Sequence, residues 1–189
     1  MKRIQNINKY DEVKLLEIKY GLEALYLMIS KFTVYLIIDS FLGIFETAIL
    51  FILVYIPIRS YSFGYHAKKS LHCWILSGLC FIGIPYISQY LYFDIYAKIA
   101  LTIYCLIVFW FFSPADTPKR PLVNPITRKK LKIKSIIVVL VYSTYTLLFD
   151  NQLSTLMILA LAFQSIIISP LTYRISKTQY SNYLHYGLN

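Results

Sequence analysis

The chain has 189 residues, 58% of them hydrophobic, and a mean hydropathy of +0.58, values that exclude an ordinary soluble domain. Its formal net charge is +10, from 19 lysines and arginines against 9 aspartates and glutamates. The cations lie in the connections between apolar segments rather than on one recognition element, which argues against nucleic-acid binding and for a membrane protein attracted to anionic lipid headgroups.

Six apolar segments follow one another along the chain, and a run of about twenty apolar residues is long enough to cross a bilayer. Glu23 and Lys31 interrupt the first segment, which therefore either spans the membrane or lies in its interface. The segments are Leu22–Ile38, Phe41–Ile58, Trp74–Phe93, Ile95–Phe112, Ile133–Phe149 and Leu153–Tyr173. We expect an all-α, polytopic membrane bundle of about six hydrophobic helices, forming one integral membrane domain over residues 1–189.

The basic residues alternate with the spans in a way that predicts topology. They concentrate in the N-terminal segment 1–20, the connection 59–72, the loop 113–132 and the tail 174–189, whereas the other connections carry few cations. Cytoplasmic loops are enriched in lysine and arginine. Both termini and both basic connections are therefore predicted to be cytoplasmic. Residues 1–20 have no apolar core like that of a signal peptide, so we expect insertion through the spans themselves.

The three cysteines differ in their surroundings. An odd number of cysteines in a chain with short loops does not predict a disulfide framework. Cys80 and Cys105 lie inside apolar spans, where a thiol is ordinarily a small core side chain. Cys73 lies at the predicted cytoplasmic start of a span, among polar neighbours.

His66 and Cys73 are seven residues apart and form the minimum set for a thiol nucleophile with its general base. On one straight helix they would be separated by about 10 Å along the axis, too far for a hydrogen bond. A working pair therefore requires the chain to leave the helix between them, and Gly64 allows unusual backbone angles just upstream. Cys73 would then begin the next helix, whose positive dipole end favours a thiolate.

Other residues near this pair have less specific interpretations. Asp116 is a candidate to orient His66, although acids near basic loops are usually solvated or ion-paired. Ser70 is a candidate to position backbone or substrate. Arg59 suits either a substrate carboxylate or lipid headgroups. Gln164 lies inside an apolar span, where polar groups tend to face the bundle interior.

Two alternatives to a catalytic pair remain open from the residues alone. In the first, His66 and His72 are interfacial histidines and Cys73 is an idle thiol. In the second, the three side chains hold a metal, but no fourth ligand lies nearby and the spacing matches no familiar zinc pattern. We predict neither a metal nor another cofactor.

The second basic connection is a candidate binding surface for an acidic peptide segment. The less specific alternative is that these cations are attracted to lipid headgroups. The cations that we predict to contact a substrate are Lys119, Arg120, Arg128, Lys129 and Lys130.

The stretch Arg59–Cys73 (RSYSFGYHAKKSLHC) resembles the signature of accessory gene regulator B (AgrB), a family of membrane cysteine endopeptidases of Gram-positive quorum sensing. The shared pattern is an arginine, a glycine, His-Ala, a serine and a cysteine at this spacing. Residues 113–122 (SPADTPKRPL) resemble the family's connection after its fourth hydrophobic helix. The resemblance extends over nearly the whole chain.

The resemblance implies a specific reaction. Cys73 is then the nucleophile and His66 its base, while Arg59, Gly64 and Ser70 occupy motif positions of less definite role. The substrate is an AgrD-type propeptide, cleaved through an acyl-enzyme thioester that a propeptide side chain converts into a thiolactone or lactone. A homodimer in the bacterial cell membrane, needing no cofactor, is also implied.

Two functions of other classes compete with this one. A transporter or peptide-export component would need charged groups near the middle of the membrane, for which Glu46 and Lys31 are the candidates. A non-catalytic membrane scaffold would need neither Cys73 nor His66.

Overall fold

The computed structural model describes residues 12–67, 70–117 and 121–186, which fold into helices joined by short connections. Phe63 and Ala115 form an isolated parallel bridge. The helices are α1 (Glu12–Phe41), α2 (Phe45–Ser62), α3 (Ser70–Gly78), α4 (Ile84–Ser88), α5 (Ile95–Phe112), α6 (Pro125–Leu148), α7 (Gln152–Ile168), α8 (Pro170–Ile175) and α9 (Tyr183–Tyr186). A π-helical turn, Leu79–Gly83, joins α3 to α4 without a break.

The predicted all-α membrane bundle is confirmed, and the chain is a multi-pass membrane protein. Five helical segments are long and apolar enough to cross a membrane, and α7 is a sixth, shorter apolar helix. The first of the five is Gly21–Phe41 within α1, which has the length and composition of a span despite Lys31. The sequence had left that helix open between a spanning and an interfacial position.

Several helix boundaries differ from those expected: α3 begins at Ser70 rather than Trp74, α4 ends at Ser88 rather than Phe93, and α7 ends at Ile168 rather than Tyr173. Two other differences bear on the site. Helix α2 continues through Pro57 to Ser62, so Arg59 lies in its last turn rather than in a connection. Helix α6 begins at Pro125, eight residues before the predicted span. The Asn124 side chain caps it, because its amide oxygen accepts hydrogen bonds from the backbone amides of Ile126 and Thr127. An asparagine cap followed by proline is a strong helix start. The basic run from Arg128 to Lys130 is therefore helical.

Helix α7 lies at the centre of the bundle and packs against α2, α5 and α6. It is the most buried of these helices, and small side chains such as Ser154, Ala160 and Ser165 let its neighbours approach closely. Fully buried apolar side chains from the four helices fill the space between them: Phe51, Phe109, Val139, Leu156 and Leu161.

Aromatic rings join α1 to the rest of the bundle. The Phe81 ring, on the π-helical turn, lies 4.9 Å from the ring of Phe32 on α1 and 5.7 Å from that of Tyr55 on α2, measured between centroids. The Tyr35 hydroxyl donates to the Trp74 carbonyl at 2.9 Å. The opposite face of α1 is exposed, as expected of a helix that faces lipid.

The two basic connections and the C-terminal segment meet at one end of the bundle. The Gly64 amide donates to the Ala115 carbonyl at 2.8 Å, and the Tyr173 hydroxyl donates to the Asp116 carbonyl at 2.9 Å. At the other end, the buried Lys98 ammonium donates to the Phe149 carbonyl and the Asp150 carboxylate. The cytoplasmic location of the basic end stays a prediction from charge placement.

Removing the Phe81 ring, which contacts α1 and α2 from the π-helical turn, should weaken the packing of α1 on the bundle. We expect Phe81→Ala to lower the free energy of unfolding by about 2 kcal/mol, because the half-buried ring leaves a cavity between Phe32 and Tyr55. Denaturant titration in detergent micelles measures the change. Leu79→Ala removes an exposed side chain from the same turn and should change stability little; equal losses in the two variants would contradict the assignment.

Candidate active site

His66 and Cys73 do not lie on one helix, as a working pair requires. Helix α2 ends at Ser62, and Phe63 and Gly64 have φ angles of 56° and 110°. The backbone is non-helical to Ala67, residues 68–69 lie outside the described chain, and α3 begins at Ser70. Cys73 is therefore in the first turn of α3, at the helix end whose dipole favours an anion.

One cavity of about 370 Å³ brings Arg59, His66 and Cys73 together. His66 is exposed and Cys73 half-buried, while the deeper wall is largely aromatic and aliphatic. The remaining lining side chains are Met28, Phe32, Tyr55, Ile56, Ser60, Tyr65, Ala67, Leu76, Ser77, Cys80, Phe81, Phe163 and Ile167. The cavity thus combines a polar rim with an apolar interior, which suits a reaction that must exclude water.

Arg59 fixes the connection that carries His66. Its guanidinium donates to the carbonyls of Phe63 and Gly64, the latter at 3.4 Å, and to that of Tyr65 at 2.9 Å. An arginine offers five donors in a fixed planar arrangement, so it can satisfy several carbonyls of one turn at once. The structure therefore gives Arg59 a positioning role that the sequence did not suggest.

Gln164, fully buried on α7, holds the end of α2. Its amide oxygen accepts from the Tyr55 hydroxyl at 2.7 Å, while its amide nitrogen donates to the Ser62 hydroxyl at 2.7 Å and the Phe63 carbonyl at 2.6 Å. The expectation that Gln164 faces the interior is confirmed. Its contact with the His66 connection was missed, and the only signal was an amide inside an apolar span.

Gly64 is a position where a side chain has no room. A Cβ there would lie 2.8 Å from an Arg59 guanidinium nitrogen and 2.8 Å from a methyl carbon of Ile167, and the φ of +110° is unfavourable for other residues. The motif glycine therefore lets the connection pass close to both side chains.

Lys31 contacts the Cys73 thiol, whereas the sequence suggested it only as an interruption of the first span and as a charged group for a transporter. Its ammonium lies 3.2 Å from Cys73 Sγ and 5.4 Å from the centroid of the Trp74 ring. A cation inside an apolar span is costly and marks a functional site by default. That position was the available signal, but the partner thiol, 42 residues away in sequence, is visible only in the fold.

Asp116 holds the C-terminal segment. One carboxylate oxygen accepts from the Asn182 amide at 2.9 Å, and the other accepts from the amides of Tyr183 at 2.8 Å and Leu122 at 3.4 Å. Burial, with the Tyr183 hydroxyl and this carboxylate nearby, raises the pKa of Tyr180 in the same segment to about 12. These bonds give Asp116 a structural role, and its orienting of His66 stays a prediction.

The predicted substrate-binding cations are only partly described. Lys119 and Arg120 lie outside the described residues. The Arg128 guanidinium lies 3.7 Å from the centre of the Tyr183 ring, which draws it toward the C-terminal segment. Lys129 and Lys130 are exposed on the first turns of α6.

The described residues show the surroundings of the three cysteines and bear on the metal-site alternative. Cys80 and Cys105 are buried, as expected of core thiols, and Cys73, Cys80 and Cys105 are all free. Among residues 12–67, 70–117 and 121–186, no three histidine, cysteine, aspartate or glutamate side chains come together as metal ligands. The site therefore consists of a cavity lined by His66 and Cys73, with the Lys31 ammonium against the Cys73 thiol.

Comparisons with known proteins agree with the site motif. The family model described as accessory gene regulator B matches residues 1–168. An AgrB-like protein of Listeria innocua is 35% identical over 94% of this chain and 88% of its own. AgrB-like proteins of Clostridium acetobutylicum and Lactiplantibacillus plantarum are 30% and 29% identical, over 94% and 89% of this chain and 86% and 84% of theirs. No solved structure matches.

A methyl group at position 64 should disrupt the His66 connection. We expect Gly64→Ala to cost about 2 kcal/mol of stability, because the positive φ and the contacts with Arg59 and Ile167 must both be relieved. Thermal unfolding in detergent micelles tests this. Gly83→Ala, with open space around it and helical backbone angles, should instead be neutral or stabilising. A harmless Gly64→Ala would show that the connection is not fixed as described.

Replacing the Asp116 carboxylate by an amide should release the tail. In Asp116→Asn one acceptor becomes a donor facing backbone amides, so we expect the segment around Asn182 to be cleaved by added protease about tenfold faster. Asp94→Asn, which alters the exposed cap of α5 at the other end, should leave that rate unchanged. Lost propeptide processing with an intact tail would instead support the orienting of His66 by Asp116.

Proposed function

This chain belongs to the AgrB family, a peptidase family whose members process AgrD propeptides in quorum sensing, and we propose that Cys73 and His66 perform the cleavage. The observation that supports the proposal is the shared cavity, which both side chains line although they lie on different segments. A thiol in the first turn of a helix, with a cation against it, is in the environment of a reactive cysteine.

The first half of the reaction cleaves the peptide. His66 accepts the Cys73 proton, and the thiolate attacks the scissile carbonyl carbon, so that a carbon–sulfur bond forms and the negative charge moves to the carbonyl oxygen. When this intermediate collapses, the carbon–nitrogen bond breaks and the departing amine takes the proton from His66. The product is a thioester between Cys73 and the N-terminal part of the propeptide.

The second half closes the ring. A thiol or hydroxyl within the bound segment loses its proton to His66 and attacks the thioester carbon. The bond to Cys73 breaks, and the enzyme thiol recovers the proton. Because this exchange passes the acyl group directly between nucleophiles, water is the competitor that must be kept out. The apolar interior of the cavity supports that requirement.

The basic end of the bundle suits the charge of a bound propeptide. We assign this end to the cytoplasm, with the termini, from the positive-inside pattern. Exposed Lys129 and Lys130 on α6 would attract an acidic segment of the propeptide, with Lys119, Arg120 and Arg128 as further candidates. We also propose that the enzyme acts as a homodimer in the cell membrane, as the family resemblance implies.

The transporter alternative gains no support from its two charged residues. The ammonium of Lys31 contacts the thiol at the cavity. Glu46 is exposed in the first turn of α2, near the end of that span. Neither residue points to a translocation path through the middle of the bundle.

Co-expression with a candidate AgrD-like propeptide, followed by mass spectrometry, tests the assignment. Cys73→Ala and His66→Ala should reduce cleavage by at least about 10³-fold, because each removes a group that reacts with or transfers a proton to the substrate. Cys73→Ser should also fail, since a hydroxyl is much less acidic than a thiol.

Matched controls separate chemistry from general damage. Cys105→Ala removes a thiol buried elsewhere in the bundle, and His72→Ala removes an exposed imidazole from the same turn as Cys73; both should process normally. A propeptide-sized adduct on Cys73 would identify the thioester. Continued cleavage by Cys73→Ala would overturn the proposed function and favour a transporter or scaffold.

A further inference from the structure

We infer that Lys31 is a third catalytic residue, whose ammonium stabilises the negative charge that develops on Cys73 sulfur during the reaction; this inference rests on the proposed function. The observation is the approach of the Lys31 ammonium to within 3.2 Å of Cys73 Sγ. This is the distance of a charge-assisted hydrogen bond to sulfur, and the sulfur is the atom that forms and breaks the covalent bond.

Hydrophobic packing does not explain why a lysine occupies position 31. It lies within Gly21–Phe41, a segment apolar enough to span the membrane, where an unpaired ammonium is strongly disfavoured. A neutral thiol satisfies it poorly, whereas a thiolate supplies the opposite charge that a half-buried cation needs. The Trp74 ring, 5.4 Å away, offers a second favourable surface on the other side.

The approach is fixed by neighbouring contacts on the same helix. Tyr35, one turn after Lys31, donates from its hydroxyl to the Trp74 carbonyl at 2.9 Å, and the Phe32 ring packs against Phe81. Residues four apart lie on one face of a helix. These contacts set the register of α1 on α3, so the Lys31 side chain is directed at the first turn of α3.

The charged groups around Cys73 have different roles because they lie in different positions. Arg59 and His66 line the same cavity as Cys73, and Tyr35 is the other titratable group that α1 brings near the thiol. Arg59 is engaged with carbonyls of the connection. His66, exposed at the rim, moves the proton between sulfur, solvent and the leaving amine. The Lys31 ammonium stabilises the negative charge on sulfur before the carbon–sulfur bond forms.

The alkylation rate of Cys73 by iodoacetamide tests this without any substrate. The intact protein in detergent micelles is labelled between pH 5 and pH 10, and modification is quantified at Cys73 by mass spectrometry. We expect Lys31→Met to slow alkylation at pH 7 about tenfold, because the variant removes the cation that stabilises negative charge on the attacking sulfur.

Two further variants define the role. Lys31→Arg should keep most of the wild-type rate, since arginine supplies the cation but cannot accept a proton. Lys19→Met removes a matched charge from the same helix, at an exposed position paired with Glu23, and should leave the profile unchanged. Cys105 is fully buried, so its alkylation would show that a variant has unfolded. If Cys105 becomes reactive in Lys31→Met, the alkylation rate of Cys73 is measured in Lys31→Gln instead.

The outcomes separate this inference from the proposed function. Wild-type alkylation in Lys31→Met, or equal slowing in Lys31→Met and Lys31→Arg, would overturn the role of Lys31 as a charge, even if Cys73→Ala abolishes propeptide cleavage. Cleavage that persists in Cys73→Ala would overturn the proposed function, whatever the alkylation profile shows. Slower alkylation together with a similar loss of propeptide cleavage in Lys31→Met, both restored by arginine, is the expected result.

Discussion

Backbone groups that leave a helix at the edge of a membrane must find partners within the protein, and this constraint governs the site. The five residues after α2 are non-helical, and His66 is the fourth of them. Their carbonyls bond to Arg59 and Gln164, while the amides of Gly64 and Tyr65 donate to carbonyls of Ala115 and Ile167. Each of these bonds satisfies a backbone group that has left a helix, so losing one partner costs stability.

The same constraint explains why α7 is the central helix. It carries Gln164 and the Ile167 carbonyl, both of which bond to the end of α2 or the connection after it. Its small side chains allow close packing against three spans, which buries the amide and strengthens its hydrogen bonds in a medium of low dielectric constant. The scaffold and the site therefore share one set of contacts, and changes to the core of α7 are expected to reach His66.

Helix α1 adds the remaining wall of the cavity and brings a different kind of interaction. It packs less extensively than the other spans, mainly through Phe32 and Tyr35, yet it places the Lys31 ammonium against the nucleophilic sulfur. A lightly packed helix that completes an active site links catalysis to the membrane, because lipid contacts on its exposed face help to determine how firmly it docks.

The sequence by itself determined the membrane bundle, its six apolar helices and the grouping of the basic connections, because each depends on local composition. From the fixed rise of a helix it gave only the condition that His66 and Cys73 can work together if they are not on one helix. It could not determine where α2 ends or α6 begins, since a cap and tertiary hydrogen bonds override apolar length as the boundary signal. Only the tertiary structure joined Lys31 to Cys73, Gln164 to the His66 connection and Asp116 to the tail. These contacts link residues far apart in sequence, and no local pattern encodes which distant partner satisfies a buried charge or amide.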